Sequence, residues 1–189
     1  MSLDDIRKDI DAIDFQIQEL LMSRMDCSKQ VVTEKIADGN FVIYRADREN
    51  AILDKLGAGI PEDRKPGYLA VVRKITETSR MYQYGILYEE HPELYDRLID
   101  GLHVPEHSSS ITVILTRPNI PNAMSSILSM IGDYGYNMDE MKLLSYNEDN
   151  SEVTFELTLL GDIEKESLKK LLFQLSMESA KFRIIQIRV

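Results

Sequence analysis

LDDIRKDIDAIDFQIQELLMSRMDCSKQVVTEKIAD, residues 3–38, decides the fold of the N-terminal half. Its apolar side chains Leu3, Ile6, Ile10, Ile13, Ile17 and Leu20 recur in alternating steps of three and four, the period of a helix with a narrow apolar seam. No Pro or Gly interrupts the stretch before Gly39. A single helix of about 35 residues is roughly three times the globular average, so it requires a partner helix along most of its length.

Working outward, Ala46 to Leu56 reads as a short second helix closed by Gly57. Gly57-Ala58-Gly59 is then a helix stop and turn; it lacks the surroundings of a phosphate loop. A third helix starts near Pro66, a residue suited to a first helical turn, and runs past Tyr84 with Tyr68, Val71, Val72, Ile75 and Ile86 on one face. Residues 89–110 are mixed and acidic, with Pro92, Pro105 and Ser108-Ser109-Ser110, and read as a short helical extension followed by a linker. After Ser110 the period changes to two at Ile111, Val113 and Leu115. A helix at 121–134 ended by Gly135, strands at about 138–146 and 152–160 around the turn Asn147-Glu148-Asp149-Asn150, a helix at about 163–178 and a strand over Phe182–Val189 complete the order βαββαβ. That order predicts a ferredoxin-like fold, an antiparallel sheet with two helices on one face. The expected organisation is a helical domain at 1–90, an extension and linker at 91–110, and the α/β domain at 111–189.

The composition bounds the function. At 189 residues and 21.7 kDa, with 43% apolar and 29% charged residues, the chain has enough apolar material for two compact cores. No segment approaches the roughly 18 consecutive apolar residues of a membrane span, and the acidic start at Asp4 and Asp5 is unlike a signal peptide, so a cytoplasmic protein without a membrane partner is expected. A net charge of −10 with no basic arm argues against nucleic acid, whose binding draws on neutralised phosphates. Arg and Lys that matter here act locally, on a small anion. The lone Cys27 at helical spacing reads as core and not as a nucleophile. His91, His103 and His107 lack accompanying Cys or closely spaced carboxylates, so no metal is expected.

Polar residues interrupt the apolar faces. The alternating step beyond Leu20 lands on Arg24, and Lys35, eleven residues later, lies about 20° from the same face. On the third helix the stripe continues after Ile75 through Ser79 and Gln83, an i, i+4 pair that projects side by side. Arg48 and Glu49 add polar groups from the second helix. A buried cation without a partner is costly, so these residues are neutralised either by acids in a structural network or by an anionic ligand. Arg7 stands seventeen residues before Arg24, roughly 25 Å along a continuous helix, and cannot meet the same small ligand within one chain.

Together, Ile6-Arg7-Lys8-Asp9-Ile10-Asp11-Ala12-Ile13-Asp14, Leu20-Leu21-Met22-Ser23-Arg24, Lys35, Tyr44-Arg45-Ala46-Asp47-Arg48-Glu49 and Ser79-Arg80-Met81-Tyr82-Gln83 resemble the all-helical chorismate mutases, most of all the mutase domain of the bifunctional mutase–prephenate dehydratases. Residues 111–189 resemble an ACT domain, with no dehydratase domain between the two. The resemblance implies a three-helix fold in an intertwined homodimer and an intramolecular [3,3] rearrangement of chorismate to prephenate, in phenylalanine and tyrosine biosynthesis, that needs no cofactor, nucleophile or proton transfer. It assigns the substrate carboxylates to Arg24, Arg48 and a partner-chain Arg7, the ether oxygen to Lys35 and Gln83, the ring hydroxyl to Glu49, and assistance at a carboxylate to Ser79. An isochorismate–pyruvate lyase on the same scaffold and a non-catalytic aromatic-metabolite sensor are the alternatives.

Two departures matter. Some relatives carry Asp three residues before the second arginine, where this chain has Arg45, so hydroxyl recognition rests more heavily on Glu49. In the ACT-like region, Asn122-Ala123-Met124 and Lys142-Leu143-Leu144 replace the Gly-Ala-Leu and Glu-Ser-Arg segments that receive phenylalanine in related dehydratases. A candidate ligand site nevertheless falls at Asn119, Asn122, Ala123 and Met124, for an amino-acid effector or an aromatic-pathway enzyme as partner.

Overall fold

The computed structural model describes residues 2–189; the chain divides into two units, which over these residues are 2–87 and 88–189. In the first, α1 spans Leu3–Ala37, α2 Ala46–Gly57 and α3 Lys65–Glu90, the last crossing into the second unit. Helix α1 opens with a capping box: Asp5 N donates to Ser2 Oγ at 3.2 Å while Ser2 N donates to Asp5 Oδ2 at 2.8 Å. Those bonds hold the Asp5 carboxyl below its ordinary pKa. Gly39 at φ 67° turns the chain where a helix C-terminus favours the left-handed conformation.

Helix α1 is unevenly buried. Ser28 and Val32, both in its C-terminal third, are its buried residues, whereas the seam at Leu3, Ile6, Ile10, Ile13, Ile17 and Leu20 is exposed, Leu20 at 71%. The partner that the seam requires is not supplied by the unit itself. The packed end carries Ile43, Val72, Tyr84 and Leu87 with the polar Thr76, Ser79 and Arg80 beside them. That is where three helices and a buried cation come together.

The second unit contains α4 Pro92–Ile99, β1 Ser110–Pro118, α5 Ala123–Asp133, β2 Asn137–Tyr146, β3 Glu152–Leu160, α6 Glu166–Met177 and β4 Lys181–Arg188. Helix α4 packs on α6 and β4, and Tyr88, Tyr95 and Phe173 meet edge to face at centroid distances of 5.6 and 5.7 Å. The sheet order is β2-β3-β1-β4 with every neighbouring pair antiparallel, the ferredoxin-like arrangement. Its core is read directly from the alternation: Ile111, Val113 and Leu115 of β1 and Phe155, Leu157 and Leu159 of β3 are buried with Ile127 of α5 and Leu168, Leu171, Leu172 and Leu175 of α6. Gly161 is required where it stands, since at φ 155° an added Cβ would come within 2.9 Å of the Tyr136 ring and 3.1 Å of Leu168.

One polar network is closed inside this unit. Arg117 at the end of β1 donates to the Glu178 backbone carbonyl at 2.7 Å and to its Oε2 at 3.4 Å, Gln174 Nε2 donates to Glu178 Oε1 at 2.9 Å, and the Tyr134 hydroxyl donates to Gln174 Oε1 at 2.9 Å. Arg117 is 5% exposed, and the Glu178 side chain is fully buried. Burial and the Glu178 charge raise the Tyr134 pKa above its ordinary value.

Candidate active site

Three helices converge on a cleft of about 240 Å³ in the first unit. Helix α1 contributes Arg24, Ser28 and Lys35; α2 contributes Arg48 and Glu49; α3 contributes Thr76, Ser79, Arg80 and Gln83. The sequence positions explain the convergence. Arg24 and Lys35 continue the apolar seam of α1, and Ser79 and Gln83 continue that of α3, so the faces that pack the helices together also bring these groups together. Arg24, Lys35, Arg48, Glu49, Ser79 and Gln83, separated by up to 59 positions, thus line one cavity.

The polar groups are tied to the helices that carry them. Arg24 Nη1 donates to Ser79 Oγ and, at 3.4 Å, to the Ile75 carbonyl; Ser79 Oγ in turn donates to that carbonyl at 2.9 Å. Gln83 Nε2 donates to the Ser79 carbonyl at 3.2 Å. Lys35 Nζ donates to the Val42 carbonyl at 2.7 Å, which draws the α1 C-terminus to the segment leading into α2. These bonds hold the donor groups at the cavity wall.

The electrostatics are lopsided. Among the described residues lining the cleft, Arg24, Lys35, Arg45, Arg48 and Arg80 face a single carboxylate, Glu49, in a chain whose overall charge is −10. Lys35 shows the consequence: desolvation first, then the Arg45 and Arg48 charges, lower its pKa from the ordinary lysine value. An anion entering the cleft relieves that repulsion, and two anionic groups relieve it further. The arrangement can hold an anionic group and donate hydrogen bonds to it from several directions.

Arg45 lines the cleft but is engaged next door, donating through Nε at 2.9 Å to Oδ1 of Asp47, whose pKa its guanidinium pulls down to about 2. Arg7 stands elsewhere: it is exposed on α1, paired with Asp4 at 3.3 Å, about 25 Å along the helix from Arg24. Cys27, read from the sequence as core, is exposed and lines the cleft. The helical period placed it near the Arg24 face, which here opens on a cavity.

Arg80 was not singled out by sequence reasoning. It lies one position past Ser79, off the α3 seam, yet it is 7% exposed, with Nη1 donating to both carboxylate oxygens of Glu49. Its partner is 31 positions away, so no local pattern marks it.

In the second unit Asn119, Asn122, Ala123 and Met124 line a separate cleft of about 380 Å³ together with Leu128, Leu143 and Tyr146. Asn122 sits at φ 71° immediately before α5, and Asn119 Nδ2 donates to the Asn150 carbonyl at 2.9 Å. No group of three or more His, Cys, Asp or Glu positioned to hold a metal ion occurs among the described residues. No described helix is long and apolar enough to cross a membrane.

Residues 6–84 match the family model described as chorismate mutase type II. No curated protein matches the chain. Among solved structures, the chain is similar to GqqA, described as a novel type of quorum quenching acylase, at 22% identity and a TM-score of 0.42 over 46% of this chain and 45% of that one. It is similar also to a prephenate dehydratase in complex with L-Phe from Arthrobacter aurescens, at 19% identity and a TM-score of 0.42 over 46% of this chain and 29% of the other. The matches span less than half the length of either structure.

Proposed function

We propose that this chain, whose residues 6–84 match the chorismate mutase type II family model, catalyses the intramolecular [3,3] rearrangement of chorismate to prephenate. The observation that carries the proposal is the convergence of Arg24, Lys35, Arg48, Glu49, Ser79 and Gln83 on one cleft. In the rearrangement the ether C–O bond breaks as a C–C bond forms, so the protein needs neither nucleophile nor proton donor. It selects a folded conformer of the substrate and stabilises the negative charge that grows on the ether oxygen. Arg24, braced by Ser79, and Arg48 bind the two carboxylates. Lys35 and Gln83 donate to the ether oxygen, and their bonds to the Val42 and Ser79 carbonyls place those donors before the substrate arrives. Glu49 accepts from the ring hydroxyl.

The active form is a homodimer in which α1 of each chain lies along the other. The exposed seam from Leu3 to Leu20 supports this reading, because such a contiguous apolar stripe is stable only when covered. It also brings Arg7 of one chain to the cleft of the other, completing the carboxylate contacts. The ferredoxin-like unit acts as an ACT-like module for regulation or association, with the cleft at Asn119, Asn122, Ala123 and Met124 as its ligand site. The purified chain supplied with chorismate should consume it and form prephenate, with Arg24→Ala and Arg48→Ala each losing most of that turnover. Absence of turnover with chorismate, or pyruvate release from isochorismate in its place, would overturn the assignment.

A further inference from the structure

Arg80 joins three pieces of chain at the floor of the cleft. It projects from α3, donates through Nη1 to both carboxylate oxygens of Glu49 on α2, and places its guanidinium carbon 4.7 Å from the ring centroid of Tyr44 in the segment between α1 and α2. A guanidinium stacked on an aromatic face and engaged by a carboxylate has little freedom to swing into the cavity and serve a substrate carboxylate itself. Its partner is the sole carboxylate among the described residues that line the cleft. Arg45, which stands where an acid would offer the ring hydroxyl a second acceptor, is turned toward Asp47 instead. Among the carboxylates lining the cleft, recognition of the hydroxyl therefore falls on Glu49.

We propose that Arg80 is a positioning residue for the mutase reaction: it acts through Glu49, orienting that carboxylate and offsetting its charge so that the remaining lone pairs meet the ring hydroxyl of chorismate. The inference rests on the mutase reading of the cleft. A carboxylate oxygen has two acceptor sites, and a donor shared between Oε1 and Oε2 engages one on each, leaving capacity for a substrate donor. Without Arg80, the half-buried Glu49 loses its fixed partner and rotates toward another cation of the cleft, Arg48 on its own helix or Lys35, away from the hydroxyl. Arg80 thereby selects for substrates carrying that hydroxyl, whereas Arg24 and Arg48 select for carboxylates.

The test compares chorismate with its 4-deoxy analogue, which undergoes the same bond changes without the hydroxyl. For Arg80→Met, kcat/KM for chorismate should fall about 10–100-fold, the worth of a hydrogen bond to a charged group, while kcat/KM for the analogue falls less than about threefold. Arg80→Lys should recover part of the loss for chorismate. Because Arg80→Met removes the partner of a half-buried carboxylate and can impair folding, Glu49→Gln and the double variant Glu49→Gln/Arg80→Met, both neutral at position 49, are compared as well. On the Glu49→Gln background, removal of Arg80 should cost chorismate turnover less than about threefold, since the group through which it acts is gone. Equal losses on both substrates, or a further loss of about tenfold or more when Arg80 is removed from the Glu49→Gln variant, would overturn the role of Arg80 and leave the mutase reading standing. A wild-type chain inactive on chorismate would overturn both.

Discussion

Each unit buries an arginine against a glutamate, and the two pairs differ in what remains open. In the ferredoxin-like unit Glu178 receives Arg117 on one carboxylate oxygen and Gln174 on the other, and Gln174 is itself capped by Tyr134. The network closes on itself and joins the end of β1 to the end of α6. In the helical unit Glu49 meets Arg80 at the wall of a cavity that also presents Arg24, Lys35 and Gln83. The same residue types therefore brace a core in one place and border a cavity in the other. Access decides which: a charge pair enclosed in the core holds the fold, and one bordering a cavity leaves its free acceptor sites open to a ligand.

The comparison is most directly broken at Arg117. Replacing it with Met strands the Glu178 carboxylate in the core, and loss of one partner of a buried pair costs about 3–5 kcal/mol. Denaturant unfolding of Arg117→Met should show that loss, with the proposed mutase turnover per folded molecule unchanged. A variant as stable as the parent would mean that the closed network does not brace the core.

The open site is probed at Gln83. Gln83→Ala should lower turnover roughly 10²–10³-fold, the effect of removing one preorganised donor to a developing oxyanion, with little change in unfolding. Retention of more than half the turnover would remove Gln83 from the mechanism.

Lys35 sharpens the contrast through pH. Its pKa in the folded chain lies below the ordinary value of 10.5, chiefly through desolvation and then the Arg45 and Arg48 charges. The protonated amine is the donor, so kcat/KM should fall as pH rises through that lowered pKa, approaching tenfold per unit beyond it. Stability responds in the opposite sense: between the folded and unfolded pKa values the unfolded chain holds more protons, so the contribution of Lys35 to stability rises with pH. An alkaline limb centred at or above 10.5, or none at all, would contradict a charged Lys35 in the reaction.

The Arg7 assignment predicts partial recovery in mixed dimers. Arg7→Ala and Arg24→Ala homodimers should each be nearly inactive, but equal co-expression makes about half the dimers mixed, and each mixed dimer has one intact site of two. About a quarter of wild-type activity should return. No recovery in demonstrably mixed dimers would confine Arg7 to its own chain or remove it from the reaction.

The smallest expected effect is none. With Asn122-Ala123-Met124 and Lys142-Leu143-Leu144 in place of the segments that receive phenylalanine in related dehydratases, millimolar phenylalanine should neither inhibit nor shift the melting temperature, since a ligand of the folded state must stabilise it. Micromolar binding by calorimetry would show that the cleft before α5 accepts it despite those changes.

Much of this molecule is decided along the chain. Alternating steps of three and four from Leu3 specify α1, which ends at Ala37, one residue before the expected boundary, and period-two alternation specifies β3 at Glu152–Leu160. Arg24 and Ser79 were legible because helical periodicity placed them on faces that ought to be apolar. Where long-range bonds intervene, the local pattern fails. Helix α6 starts at Glu166 and not near 163, because Ile163 N donates to Ser108 Oγ and the Asp162 carboxylate accepts from Ser108 N and Glu164 N, holding 162–164 in a turn. The pairing of Arg80 with Glu49, and the choice between an open and a closed arginine–glutamate pair, belong to the tertiary structure. Periodicity reports which face of an element a residue occupies, but only packing decides whether that face meets another side chain, a cavity or solvent.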